Sequence, residues 1–185
     1  MGVLGKYKNH IFDSETSYGI SGIKNIRQKN PREIIVFATG CFDIAHSGHP
    51  LFIEQMRREG EKLAMKNQSV LVVIGLGKDS VIKKLKGNKR PVNPELNRAY
   101  LLASYKEVDY VILDNSEVDN NKIDFEKTLS LLRPDIFVLN DDDSSIDTKR
   151  KLCESSGITF KMVKRIVPDF LEPTSSSQII EKIIR

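Results

Sequence analysis

Unbroken apolar runs alternate along this chain with stretches whose apolar residues fall at helical spacing. In Glu33-Ile34-Ile35-Val36-Phe37 the β-branched residues follow one another without polar interruption. That is the pattern of a strand buried on both faces. Leu51, Phe52, Gln55, Met56 and Leu63 then recur at helical spacing and predict a helix from about residue 48 to 66. Ser69 to Leu76 reads as a second buried strand, Glu95 begins a helix through Leu96, Tyr100, Leu101 and Ala103, and Val108 to Leu113 reads as a third strand. Phe125 to Leu132 predicts a helix that stops before Pro134. A fourth strand over Asp135 to Leu139, a helix over Thr148 to Ser156 closed by Gly157, and a fifth strand over Ile158 to Val163 complete the series. Strand, helix and strand in succession imply parallel pairing with right-handed crossovers. The fold class is therefore α/β, with a parallel sheet of about five strands.

The first thirty residues are weakly patterned. Ser14-Glu15-Thr16 caps a short helix through Ile20, Ile23 and Ile26 that ends before Asn30-Pro31. Residues 1–32 thus form an N-terminal extension, serving either as a lid or dimer contact or as a surface helix over one sheet edge. Residues 33–185 form the main domain. Residues 114–124 are acidic and rich in Asn, and read as a loop.

Composition narrows the class without choosing a ligand. The chain has 185 residues, 39% hydrophobic and 29% charged, which suits one soluble globular domain. A net charge of +4 fits an anionic small molecule and equally nucleic acid. Arginines are not interleaved with aromatics as in single-strand binders, so no nucleic-acid partner is expected. Two widely separated cysteines point to reduced thiols and a cytoplasmic location. No run is long enough to span a membrane, and the N-terminus lacks the apolar core of a secretory signal. Met1-Gly2-Val3-Leu4-Gly5-Lys6 has Lys where an acylation motif requires Ser or Thr.

Candidate chemistry concentrates in Thr39-Gly40-Cys41-Phe42-Asp43-Ile44-Ala45-His46-Ser47-Gly48-His49-Pro50, between the first strand and its helix. A helix N-terminus attracts anions through unpaired amides and its dipole. Pro50 is compatible with a first helical turn. His46 and His49, three apart, project to one side if both lie on that turn, so that two imidazoles and a row of amides converge on one anion. Fixed donors of this kind stabilise charge developing at the α-phosphorus of a nucleoside triphosphate. A Walker-type loop is absent, which argues against attack at the γ-phosphate. Zinc binding through Cys41, His46 and His49 is disfavoured, because Cys153 and His10 provide no second cluster. No metal ligands are assigned.

The His-x-Gly-His sequence at 46–49, in its extended form from Thr39, resembles the nucleotidyltransferase superfamily, and most closely the branch holding glycerol-3-phosphate cytidylyltransferase and the nucleotidyltransferase part of ADP-heptose synthase. The resemblance runs from about residue 33 to the end. It implies a Rossmann-like three-layer fold and places the triphosphate at Thr39, Gly40, Cys41, Phe42, His46 and His49. The basic stretch 77–94 reads as a loop of flexible lysines. Leu85-Lys86-Gly87 through Arg90-Pro91-Val92-Asn93-Pro94 resembles the corresponding family segment, which implies phosphate contacts for Lys83 and Lys86, with Lys84 a further candidate, and for Arg98. An ordinary solvent-facing role for Arg98 stays open at this point. Thr174, Ser175 and Ser176 match the family's closing Ser/Thr cluster, Thr174 and Ser175 toward phosphate and Ser176 as either a cap or a phosphate donor.

One turn departs from the pattern. Where the heptose branch has Lys-Gly-Gly-Asp, this chain has Leu139-Asn140-Asp141-Asp142. Asp142 keeps the final acid and is assigned to a ribose or substrate hydroxyl, while Asp141 and Asp143 cap the following helix. Asp43 and Asp79 are assigned to substrate, with Asp43 either orienting magnesium through water or capping the turn. The activity implied is transfer of a nucleoside monophosphate from ATP or CTP to a phosphorylated small molecule, with Mg2+ held mainly by the triphosphate, in a homodimer. Heptose 1-phosphate leads as acceptor. Polyol-phosphate and flavin acceptors, or a nucleotide-binding protein without turnover, are the alternatives.

Overall fold

The computed structural model describes residues 9–114, 125–143 and 145–184. The acylation test at Met1–Lys6 and nearly all of the acidic loop, from 115 onward, lie outside the described residues. Six parallel strands form one sheet in the order β1-β4-β3-β2-β5-β6. They are β1 (Ile11–Asp13), β2 (Ile34–Gly40), β3 (Val70–Gly77), β4 (Tyr110–Asp114), β5 (Ile136–Asn140) and β6 (Thr159–Val163). The helices are α1 (Ser17–Lys29), α2 (Gly48–Glu61), α3 (Asp79–Lys86), α4 (Glu95–Ser104), α5 (Glu126–Leu132), α6 (Ile146–Ser155) and α7 (Ser176–Ile184).

Both faces of the central strands are buried, which is why their sequences do not alternate. Val36, Ala38, Val72 and Ile74 pack with Phe52, Met56 and Leu102 from α2 and α4. On the other face Ile35, Phe37, Val73 and Phe137 pack with Ile23, Leu129, Leu132 and Cys153 from α1, α5 and α6. No helix among the described residues is long and apolar enough to cross a membrane.

The sheet has six strands where the sequence predicts about five. The additional β1 comes from the N-terminal stretch and pairs with β4, Ile11 opposite Val111 and Asp13 opposite Leu113. Helix α1 forms as expected, with the Thr16 side chain accepting from the Gly19 amide at 2.9 Å. Its buried Ile23 and Ile26 reach the core, so this segment is packed into the domain. A second correction concerns residues 77–94. Part of that basic stretch is α3, with Val81 and Ile82 buried and the lysines on its solvent side.

Strand order places the site. From β2 the chain steps outward through β3 to β4, then returns to the opposite side of β2 as β5. Loops leaving the carboxyl ends of β2 and β5 therefore diverge and open a crevice, where ligands bind in sheets of this kind.

Candidate active site

A cavity of about 860 Å3 opens at that crevice. Among the residues expected at the site, Thr39, Gly40, Cys41, Phe42, Asp43, His46, His49, Lys86, Asp142, Ser175 and Ser176 line it. Lys83, Asp79, Arg98 and Thr174 do not.

His46 and His49 have ring centroids 4.0 Å apart, with planes inclined at 42°. His49 also meets the edge of Phe42 at 5.1 Å. Phe42 adopts a left-handed φ of 46°, a backbone conformation disfavoured by a β-carbon. Burial, the adjacent His46 ring and the Arg165 charge pull His49 down to about 4. Burial, then Arg165, lowers His46 below its ordinary value. Both rings are consequently neutral at pH 7 and sit in contact without the repulsion of two imidazolium ions.

The amides at the start of α2 are arranged differently from the expectation. Gly48 N donates to His46 Nδ1 at 3.1 Å, His49 N donates to His46 O at 3.1 Å, and Pro50 has no amide hydrogen. The first turn thus spends its donors on His46. In return, the lone pair on Nδ1 assigns the proton of the neutral His46 ring to Nε2. The site offers imidazole N–H groups, with the helix dipole behind them, in place of a row of free amides.

Asp43 is 1% exposed. Its Oδ1 accepts from the amides of Val92 and Asn93 at 2.8 and 2.9 Å, and its Oδ2 pairs with Arg90 Nε at 2.7 Å. Burial alone would raise this carboxyl. The two amides and the guanidinium overcome that effect and hold it below its ordinary value. Both oxygens are engaged within the protein, as in the turn-capping alternative for Asp43, while the residue also lines the cavity.

Arg98 is wholly buried on α4 and bonds to backbone carbonyls and Asp79, so neither member of the Arg98–Asp79 pair reaches the cavity. Lys83 stands on the outer side of α3, while Lys86 at its last turn lines the cavity. Ser176 Oγ lies 3.2 Å from Ile44 O and 3.4 Å from Ile44 N, and ties the last helix to the histidine turn. Ser175 Oγ accepts from Gln178 N as a cap, and Thr174 Oγ1 donates to Glu172 O.

Beyond β5 and β6 the cavity gains two cations that the sequence did not single out. Lys149 Nζ pairs with Asp143 at 2.7 Å, and Arg165 with Asp142 at 3.0 Å. Nothing in their local sequence marks them: Lys149 lies on α6 and Arg165 just past β6, and the fold brings both to the cavity wall. Among the described residues, no group of three or more His, Cys, Asp or Glu side chains is arranged to hold a metal ion. The arrangement joins neutral N–H donors and Lys86 on one side to carboxylates, hydroxyls and ion pairs on the other. It can hold a polyanion bearing a polar, hydroxyl-rich substituent.

Residues 37–182 match the family described as cytidylyltransferase-like. The chain is 37% identical over 158 residues to the bifunctional protein HldE of Campylobacter jejuni subsp. doylei, a match covering 85% of this chain and 29% of that protein. It is 37% identical over 151 residues to the bifunctional protein HldE of Helicobacter pylori strain HPAG1, covering 82% of this chain and 28% of that one. Among solved structures it is similar to the lipopolysaccharide core biosynthesis protein from Thermoplasma volcanium, with a TM-score of 0.56 and 29% identity, covering 74% of this chain and 98% of the other. The chain spans less than a third of the length of these two curated relatives.

Proposed function

This chain belongs to the cytidylyltransferase-like family, and on that premise we propose that it transfers a nucleoside monophosphate from ATP or CTP to a phosphorylated small molecule, releasing pyrophosphate. A sugar phosphate such as heptose 1-phosphate is the favoured acceptor, by likeness to the HldE proteins. The observation that carries the reading is the pair of neutral imidazoles, 4.0 Å apart, on the wall of a cavity at the switch point of the sheet.

In this reading a phosphate oxygen of the acceptor attacks the α-phosphorus in line. The new O–P bond forms as the bond to the β-phosphate bridging oxygen breaks, and pyrophosphate leaves with the electron pair. His46 and His49 donate to the α-phosphate oxygens, where charge builds in the transition state. Lys86 draws the leaving group, and Lys83 adds its charge from further out. Asp142 accepts from a ribose hydroxyl, and Ser175 and Ser176 face the phosphates across the cavity. Magnesium, carried in on the triphosphate's own oxygens, would offset their negative charge. A homodimer in the cytoplasm belongs to the same proposal.

Incubation with ATP or CTP, Mg2+ and a panel of sugar, polyol and flavin phosphates tests it. Pyrophosphate release with one nucleotide and a phosphorylated sugar is expected. Thermal stabilisation by a nucleotide without release over the whole panel would leave a binding protein in its place. A polyol or flavin phosphate is the second reading, favoured by Leu139-Asn140-Asp141-Asp142, which lacks the lysine of the heptose branch. The same panel separates the two.

A further inference from the structure

We propose that Arg98 is a positioning residue for the histidine site, holding the turn at Cys41–Asp43 and the start of α3 in mutual register from beneath the cavity, and that it makes no contact with the triphosphate. The inference rests on the nucleotidyltransferase reading for its rate predictions and on geometry alone for the rest.

The guanidinium is fully buried, and its fork is spent on the walls of the site. Nη1 donates to Cys41 O at 2.6 Å, just past β2. Nη2 donates to Gly77 O, the last residue of β3, at 2.9 Å, and to Asp79 Oδ1, the first residue of α3, at 2.7 Å. Nε donates to Asn93 O at 2.9 Å. One side chain thus fixes the strand end that launches the histidines against the helix that carries Lys86. A second clasp adjoins it: Asn93 Nδ2 donates to Asp43 O at 2.8 Å, and Asp43 holds Arg90 and the amides of Val92 and Asn93. Swinging Arg98 toward a phosphate would break every one of its bonds and take the donor away from three carbonyls and from the partly exposed Asp79 carboxylate, a penalty set chiefly by the lost backbone bonds around a buried guanidinium. Planar, pre-organised donors of this kind suit arginine and are not reproduced by the point charge of lysine.

Arg98→Lys keeps the charge and loses the fork. The expected result is a kcat for pyrophosphate release lower by about 100-fold, since displacement of reacting groups by about an ångström has that effect. The nucleotide KM should stay within about threefold. The NMR titration of His49, which is set by burial and by His46, Arg165 and Asp43 around it, should move up toward the ordinary histidine range. A nucleotide KM raised about tenfold or more with His49 titrating as in the wild type would mean direct phosphate contact and overturn the proposal. So would loss of thermal stability with both kcat and the titration unchanged. If Arg98→Lys does not fold, Asp79→Ala removes a single arm. The same split at smaller size is then expected, and an unaltered kcat and titration would overturn the inference. Absence of pyrophosphate release by the wild-type chain would defeat the functional reading instead, and the His49 titration would still decide this one.

Discussion

Gly48 and His46 are locked together: the glycine amide donates to the imidazole Nδ1 at 3.1 Å, and a β-carbon built on Gly48 would lie 2.9 Å from Nδ1 and Cε1 of that ring. The contact fixes the tautomer and the ring's place with one residue. It also explains why a glycine stands between the two histidines, in a helical turn where alanine would otherwise be the better helix former.

Gly48→Ala should therefore separate folding from activity. The imidazole is the end of a flexible side chain and can move aside, so the thermal midpoint is expected to stay within a few degrees of the wild type. Pyrophosphate release should fall by about 100-fold or more, as for loss of an oriented donor. Steady-state assay beside a melting curve checks both halves.

Acid should weaken the fold through His49. The folded value of about 4 lies below the ordinary 6.5, so the unfolded chain binds the proton first as pH falls. This group's contribution is whole above about 6.5 and declines toward about 4, by up to about 3 kcal/mol. Urea denaturation at pH 7.5 and 4.5 measures the drop, and His49→Gln should flatten it. An equal slope in the variant would contradict the assignment.

Removal of Asp43 should be costlier than removal of its partner. Asp43→Ala strands the largely buried Arg90 and leaves the amides of Val92 and Asn93 without their acceptor, and should lose about 3 kcal/mol of stability by chemical denaturation. In Arg90→Ala the carboxylate keeps both amides, so a clearly smaller loss is expected.

The N-terminal strand gives a separate test. A β-carbon at Gly19 would lie 1.8 Å from Asp13 O, a backbone atom that cannot swing away, so α1 and β1 would have to part. Gly19→Ala should lower stability by more than about 2 kcal/mol in urea titration. A variant as stable as the wild type would mean that this segment does not pack as described.

The central strands were legible because burial on both faces writes unbroken apolar runs, and the histidine turn because its residue types have few other uses. β1 was not, since Ile11–Asp13 has three residues, too few to display any period. α3 was hidden by charge, its buried Val81 and Ile82 standing among lysines. Family resemblance implies a phosphate contact for Arg98; its partners in the fold are the Asp79 carboxylate and the carbonyls of Cys41, Gly77 and Asn93, and backbone acceptors leave no signature in a sequence. The first amides of α2 read as free for the converse reason: that His46 would take the Gly48 donor depends on a side-chain rotation which spacing does not record.

The account depends most on His46 and His49 acting together on a bound α-phosphate, and the most direct measurement is pyrophosphate release by His49→Ala against the wild type, with folding followed by circular dichroism. The account predicts a folded variant whose release is slower by about 100-fold or more. A folded variant that turns over within about threefold of the wild type would contradict it.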